Sequence, residues 1–223
     1  MPLVRVVKVT FDTELKSHEI PAFRGAIIGI VGREHVIFHN HLEKDKFHYA
    51  YPLVQYKSKG RKAEIVCIQD GVDEIHNFFT RNLGGIKIGN DPRSLLVENI
   101  KINKFDVDVR DTIFSYKLIN WLALNEKNFP EYQKLEGLSD KIVFLEKILT
   151  GNLLSFAKGI QWTVDKPIEV KLTSLPNFRP VKHKGQSLLS FDIEFKTNVF
   201  LPLDIGLGKG ASVGFGTVTK KPN

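Results

Sequence analysis

The segments Tyr49-Ala50-Tyr51-Pro52-Leu53-Val54-Gln55-Tyr56-Lys57 and Lys62-Ala63-Glu64-Ile65-Val66-Cys67-Ile68-Gln69, joined by Ser58-Lys59-Gly60-Arg61, decide the fold. Both are rich in aromatic and β-branched residues, and the glycine-bearing connection makes them a β-hairpin. Immediately upstream, Pro21 to Val31 opens with a proline suited to a first helical turn and carries Ile27, Ile28 and Val31 at helical spacing. Before that, Leu3 to Phe11 alternates as a strand, with Leu3, Arg5, Val7, Val9 and Phe11 on one face and Val4, Val6, Lys8 and Thr10 on the other. Downstream, Gly71 to Arg81 sets Val72, Ile75 and Phe79 on one helical face, and Leu96 to Val109 returns to strand character. The hairpin is therefore bracketed on each side by a helix and then a strand. Strand, helix, strand, strand, helix, strand is the ferredoxin-like order, in which two helices cover one face of a four-stranded antiparallel sheet.

The second half repeats the order in weaker form. Tyr116 to Leu124 is apolar and aromatic, a polar insert runs from Asn125 to Leu138, and Ser139 caps a helix carrying Ile142, Leu145, Ile148 and Leu149, with a kink expected at Gly151. Strands are expected at Ile168 to Leu175, Phe178 to His183, Leu188 to Phe200 and Val213 to Thr219. No second helix is visible between the later strands. The reading is an α+β chain of two tandem ferredoxin-like (RRM-like) domains, residues 1–112 and 113–223, the second degenerate.

Composition narrows the function classes. The chain has 223 residues and a net charge of +7, with 17 basic and 15 acidic side chains up to residue 115 and 15 and 10 after it. A basic surplus concentrated in the second half suits a polyanionic partner, nucleic acid before membrane. A single cysteine, Cys67, sits in an apolar run and excludes a disulfide scaffold and a four-thiolate zinc site. The longest apolar stretch, Ala26 to Gly32, is far short of the roughly 18–20 residues that span a bilayer. The N-terminus interleaves charged with apolar residues, unlike a secretory signal, so a cytoplasmic location is expected.

Four of the seven histidines, His35, His39, His41 and His48, lie within fourteen residues. In an extended chain His39 and His41 share a face, where they could hold a phosphate, a proton task or a metal; the alternative is a solvated loop with scattered histidines. Lys44, Lys46, Tyr49, Tyr51, Tyr56 and Lys57 accompany them, with few carboxylates beyond Glu43 and Asp45. That company favours proton chemistry, because imidazole titrates near neutrality whereas a two-metal nuclease needs clustered acids. RNA supplies its own nucleophile, the 2′-hydroxyl, and then needs only a base, an acid and positive charge around the transition state. No metal and no cofactor is expected.

Five of the seventeen glycines, Gly206, Gly208, Gly210, Gly214 and Gly216, fall in eleven residues with Lys209 among them. Such a loop brings backbone N–H groups close to a phosphate, or is simply a flexible hairpin. It is neither a Walker loop nor a dinucleotide fingerprint.

Gly-apolar-Gly, five residues, Gly-aromatic-Gly near the C-terminus resembles the signature loop of the CRISPR-associated endoribonucleases that process precursor CRISPR RNA, members of the repeat-associated RAMP superfamily. Tyr51-Pro52-Leu53-Val54-Gln55-Tyr56-Lys57, Trp121-Leu122-Ala123-Leu124-Asn125 and Gly151-Asn152-Leu153-Leu154-Ser155-Phe156-Ala157-Lys158 resemble further segments of that family, in the same order. The resemblance implies two ferredoxin-like domains and metal-independent cleavage within the repeat, leaving a 2′,3′-cyclic phosphate and a 5′-hydroxyl. It places the catalytic histidine between the first helix and the Tyr-Pro-Leu-Val segment: His41 first, with His39, Tyr49 or Lys46 as partner. Lys44 and Lys46 would stabilise the scissile phosphate. Lys158, Lys182, Lys184, Lys209 and the loop glycines would bind the RNA backbone. For Tyr51, Tyr56, Trp121 and Phe215, packing in a core is the weightier expectation. The implied partner is CRISPR repeat RNA, with membership of an interference complex and homodimerisation as further expectations. Some relatives keep the fold and the loop yet cut weakly or not at all, so an RNA-holding subunit is the alternative, and a structural backbone subunit the third.

Overall fold

The computed structural model describes residues 3–39, 51–81 and 84–221, which form two compact units, Leu3–Phe105 with Ser212–Gly214, and Asp106–Ala211 with the segment from Phe215 onward. The residue expected to divide the domains, 112, lies inside a strand of the second unit, Val109–Trp121.

In the N-terminal unit, β1 (Leu3–Glu14), α1 (Ile20–Val31), β2 (Val54–Lys59), β3 (Lys62–Ile68), α2 (Asp70–Glu74), α3 (His76–Arg81), β4 (Gly85–Ile88), β5 (Asp91–Ser94) and β6 (Val97–Asp106) follow in order. The sheet order is β2-β3-β1-β6, with β3 antiparallel to both β2 and β1, as the ferredoxin-like order requires. Alternation decides which side chains face the helices. Val9 of β1 and Tyr56 of β2 both stand opposite Ile65 of β3, and Phe11 lies two residues beyond Val9 on the same face. Phe11 meets Phe23 of α1 (6.3 Å, 69°) and Phe78 of α3 (5.6 Å, 82°), and Phe23 meets Tyr56 (5.9 Å, 84°), all edge to face.

Two local expectations are corrected in this unit, and one element was not read in the sequence. The β2–β3 connection is a two-residue turn, with Lys59 opposite Lys62 and positive φ at Gly60 (57°) and Arg61 (63°), rather than a four-residue loop. The expected helix Gly71 to Arg81 is two short helices hinged at Ile75, so Phe78, not Phe79, enters the core. The hairpin β4–β5 escaped the sequence reading because Pro92 and its polar neighbours give it little alternating pattern. It is held by side chains instead: Arg93 pairs with Glu19 and with Asp91 (2.8 Å), Thr13 donates to Ser94 O, and Asp12 accepts from Ser94 and from Leu96 N (2.8 Å). The Arg93 guanidinium, aided by the backbone of Lys16, holds the Glu19 carboxyl at about 2.

The C-terminal unit contains β7 (Val109–Trp121), α4 (Phe129–Lys134), α5 (Leu138–Gly159), β8 (Val170–Leu172), β9 (Asn177–His183), β10 (Gln186–Val199) and β11 (Thr217–Lys220). Its sheet order is β11-β7-β10-β8, and β9 also pairs with β10. The fourteen-residue β10 takes two edge partners in succession, β9 along Gln186–Asp192 and β8 along Phe195–Thr197. The second ferredoxin strand is thus split in two. Between β10 and β11, where the second helix would stand, residues 200–216 hold only the short 3₁₀ turn Ala211–Val213. The second copy is degenerate, as read from the sequence. α5 buries Leu145, Leu149, Leu153 and Phe156 on one stripe and starts at Leu138 after Gly137, not at a Ser139 cap. It runs through Gly151 without a break, and the polar insert before it contains α4. Buried Glu146 on α5 accepts from Leu172 N (2.9 Å) and Lys171 Nζ (3.3 Å), which ties the helix to β8.

Candidate functional site

Two features carry candidate chemistry, and they are built differently. The glycine loop, whose Gly206–Ala211 and Phe215–Gly216 belong to the C-terminal unit, is a held backbone structure. Leu207 N donates to Gly216 O (2.8 Å), Gly216 N donates to Asn120 O (3.0 Å), and Lys209 bridges to Leu122. Trp121 Nε1 donates to Asn152 Oδ1 (2.9 Å), and a Cβ on Gly208 would lie 2.8 Å from both of those atoms. At Gly216, with φ 61°, a Cβ would lie 1.9 Å from Leu207 O. A side chain is therefore excluded at both places. The motif segments 121–125, 151–158 and 206–216, distant in sequence, meet at this loop.

Positive charge lies in the loop, at Lys209, and beside the histidine that packs on it. His183, 9% exposed at the end of β9, packs edge-on against Phe215 (5.2 Å, 77°). Burial pushes the His183 imidazole below its ordinary pKa, and Lys184 and Lys209 push it further in the same direction. Lys184 and Lys209 thus both act electrostatically on one buried imidazole. Lys182 is exposed on β9 one residue before His183, and Lys158 is exposed in the last turn of α5, six residues or about 9 Å along the axis beyond Asn152. The sequence reading missed His183; its signal was the run Lys182-His183-Lys184.

In the N-terminal unit the chain leaves α1 and makes a 3₁₀ turn at Val36–Phe38. His35 Nδ1 meets Glu74 Oε2 of α2 at 3.3 Å, and His39 Nε2 meets Arg33 O at 2.8 Å. The carbonyls of Phe38 and His39 accept from Tyr56 Oη (3.1 Å) and Arg24 Nη2. His41, Lys44, Lys46, His48 and Tyr49 lie outside the described residues. Tyr51, Tyr56 and Trp121 are core residues, at 6%, 0% and 0% exposure, and Tyr51 Oη accepts from Gln55 Nε2 (3.0 Å). Among the described residues no three His, Cys, Asp or Glu side chains gather as a metal-ion set, and no helix is long and apolar enough to cross a membrane.

Residues 3–106 match the Cas6b N-terminal domain and residues 108–221 the Cas6b C-terminal domain. The chain belongs to the Cas6b family. The family resemblance carried by the glycine loop is thereby borne out, as is the two-domain ferredoxin-like fold. A crystal structure of Cas6b superposes with a TM-score of 0.89 at 28% identity, over 99% of this chain and 100% of that one. A crystal structure of the CRISPR RNA processing endoribonuclease Cas6b gives a TM-score of 0.75 at 24% identity, over 99% and 100%. The uncharacterized protein MJ0978 of Methanocaldococcus jannaschii is 38% identical over 121 residues, 54% of this chain and 81% of that protein.

Proposed function

We propose that this Cas6b family protein is a CRISPR RNA processing endoribonuclease that cuts repeat RNA without a metal ion. The observation that carries the reading is the glycine loop, packed against Trp121 and Asn152 and carrying Lys209, in a chain matched almost throughout by the Cas6b domains. The loop's backbone and Lys158, Lys182, Lys184 and Lys209 bind the phosphates of the repeat. His41 removes the proton from the 2′-hydroxyl at the cut, and its oxygen attacks the adjacent phosphorus. The 5′-oxygen leaves, taking a proton from His39, Tyr49 or Lys46, while Lys44 and Lys46 stabilise charge on the phosphoryl oxygens. The products are a 2′,3′-cyclic phosphate and a 5′-hydroxyl.

The test is cleavage of repeat RNA in excess EDTA, beside the same RNA carrying one 2′-deoxy sugar at the mapped cut. Cleavage of the first RNA alone, ending in a cyclic phosphate and lost in His41→Ala, is the expected outcome. Tight binding without cleavage would replace the enzyme by an RNA-holding subunit. Cleavage only after metal is restored would overturn the chemistry.

A further inference from the structure

Two donors from different elements converge on the backbone of the turn that leads into the histidine cluster. Tyr56 of β2 donates to Phe38 O at 3.1 Å, and Arg24 of α1 donates to His39 O. Tyr56 is fully buried against Phe23, where a phenylalanine would pack equally well and leave no hydroxyl to satisfy. Arg24 is the single charged residue of α1, in a helix that otherwise reads Ile-Pro-Ala-Phe and Gly-Ala-Ile-Ile-Gly-Ile-Val. Burial lowers the pKa of its guanidinium, which lies close enough to the Tyr56 phenol for each to act on the other. Its Nε is buried with no hydrogen-bond partner among the described residues. A partly buried guanidinium whose buried Nε has no partner among the described residues costs stability, so packing alone does not account for it.

The same tyrosine meets a second feature of this unit. A Cβ on Gly214, in the segment Ser212–Gly214 that belongs with Leu3–Phe105, would lie 2.9 Å from Ile20 Cδ1 and 3.7 Å from Tyr56 O. Tyr56 therefore holds the histidine turn through its hydroxyl, and Gly214 of the same unit leaves room near its carbonyl.

Building on the reading of His39 and His41 as catalytic candidates, we propose that Arg24 and Tyr56 are positioning residues for RNA cleavage. By holding the carbonyls of Phe38 and His39 they fix the turn Val36–His39, and with it the imidazole of His39. Neither touches RNA. Their effect lies in the geometry of the reacting groups, where a misplacement of about 1 Å costs on the order of 100-fold in rate.

The experiment measures single-turnover cleavage of repeat RNA in EDTA, with protein in excess, together with RNA affinity and thermal midpoint. It compares wild type with Tyr56→Phe, Arg24→Gln, Arg24→Lys, His41→Ala and Phe78→Leu. Tyr56→Phe removes one oxygen and keeps the ring, so the fold is preserved. Tyr56→Phe and Arg24→Gln are expected to lose roughly 10- to 100-fold in rate with affinity within about 3-fold of wild type. Arg24→Lys, which retains a charged donor, recovers part of the loss. Phe78→Leu loosens the same core away from the turn and should lower the midpoint with the rate per folded molecule unchanged. Wild-type rates in Tyr56→Phe and Arg24→Gln, with His41→Ala inactive, would overturn the positioning role and leave the proposed function standing. A rate loss in Phe78→Leu equal to that in Tyr56→Phe would reduce Tyr56 to a packing residue and also overturn it. A wild-type protein that binds repeat RNA without cutting it would overturn both proposals.

Discussion

The same topological position is filled in opposite ways in the two units. Between the third and fourth ferredoxin strands the N-terminal unit places α2 and α3 and drives Phe78 against Phe11, whereas the C-terminal unit has a chain of loops and one 3₁₀ turn. That second segment still buries Leu201, Ile205, Leu207 and Ala211, each at 2% exposure or less. Burying apolar surface thus requires these side chains but not a helix. A helix would spend its backbone N–H groups on internal i→i−4 bonds, while a glycine-rich segment leaves some of them available to a phosphate. The C-terminal unit thus keeps the apolar burial without the helix.

The comparison can be broken most severely at its helical side. Phe78→Ala should cost about 3–5 kcal/mol and unfold the N-terminal unit first, which chemical denaturation followed by hydrogen exchange would resolve. At the glycine side, Gly216→Ala places a Cβ against Leu207 O at a positive φ and should cost roughly 3 kcal/mol together with most of the RNA affinity. Gly151→Ala, in α5 with nothing within 4 Å of its added Cβ, should instead stabilise by about 0.5–1 kcal/mol. If both alanines behaved alike in a thermal melt, the loop would be a flexible hairpin after all.

Charge sharpens the contrast further. Lys209→Ala and Lys184→Ala should each weaken RNA binding uniformly across sequences and flatten the dependence of log affinity on log salt by about one unit, read from titrations at several ionic strengths. Both changes should also raise the His183 pKa, because each removes a neighbouring positive charge.

The smallest effect concerns acid stability of the helical unit. Glu19 is held at about 2 by Arg93, below the ordinary value of 4.5. Its contribution is therefore complete above pH 4.5 and is lost as pH falls from there towards 2. Thermal midpoints measured down this range should fall less steeply in Glu19→Gln than in wild type. An unchanged slope would remove the Arg93–Glu19 pair as the anchor of the β4–β5 hairpin.

Legibility followed the range of the interaction. The runs Leu3 to Phe11, Pro21 to Val31 and Lys62 to Gln69 were readable because period 2 and period 3.6 are local properties of the chain. Phe79 was grouped with Val72 and Ile75 on one helical face, but Phe78, three residues after Ile75, is the buried one. At the candidate site, the glycine loop, Lys184 and Lys209 were legible from composition and motif. His183 and Arg24 were not, because a lone histidine between lysines and a lone arginine on an apolar helix carry no pattern of their own.

The sequence by itself determined the ferredoxin-like order of the main strands and helices, its weaker second copy and the family. The tertiary structure decided what those elements are for one another: that β10 takes β9 and β8 in succession, that Trp121 and Asn152 meet 31 residues apart beneath Gly208, and that Tyr56 reaches back 18 residues to hold Phe38. The physical reason is that periodicity lies within a few consecutive residues. A hydrogen bond or a close approach across the fold depends on two distant positions at once, and only packing brings them together.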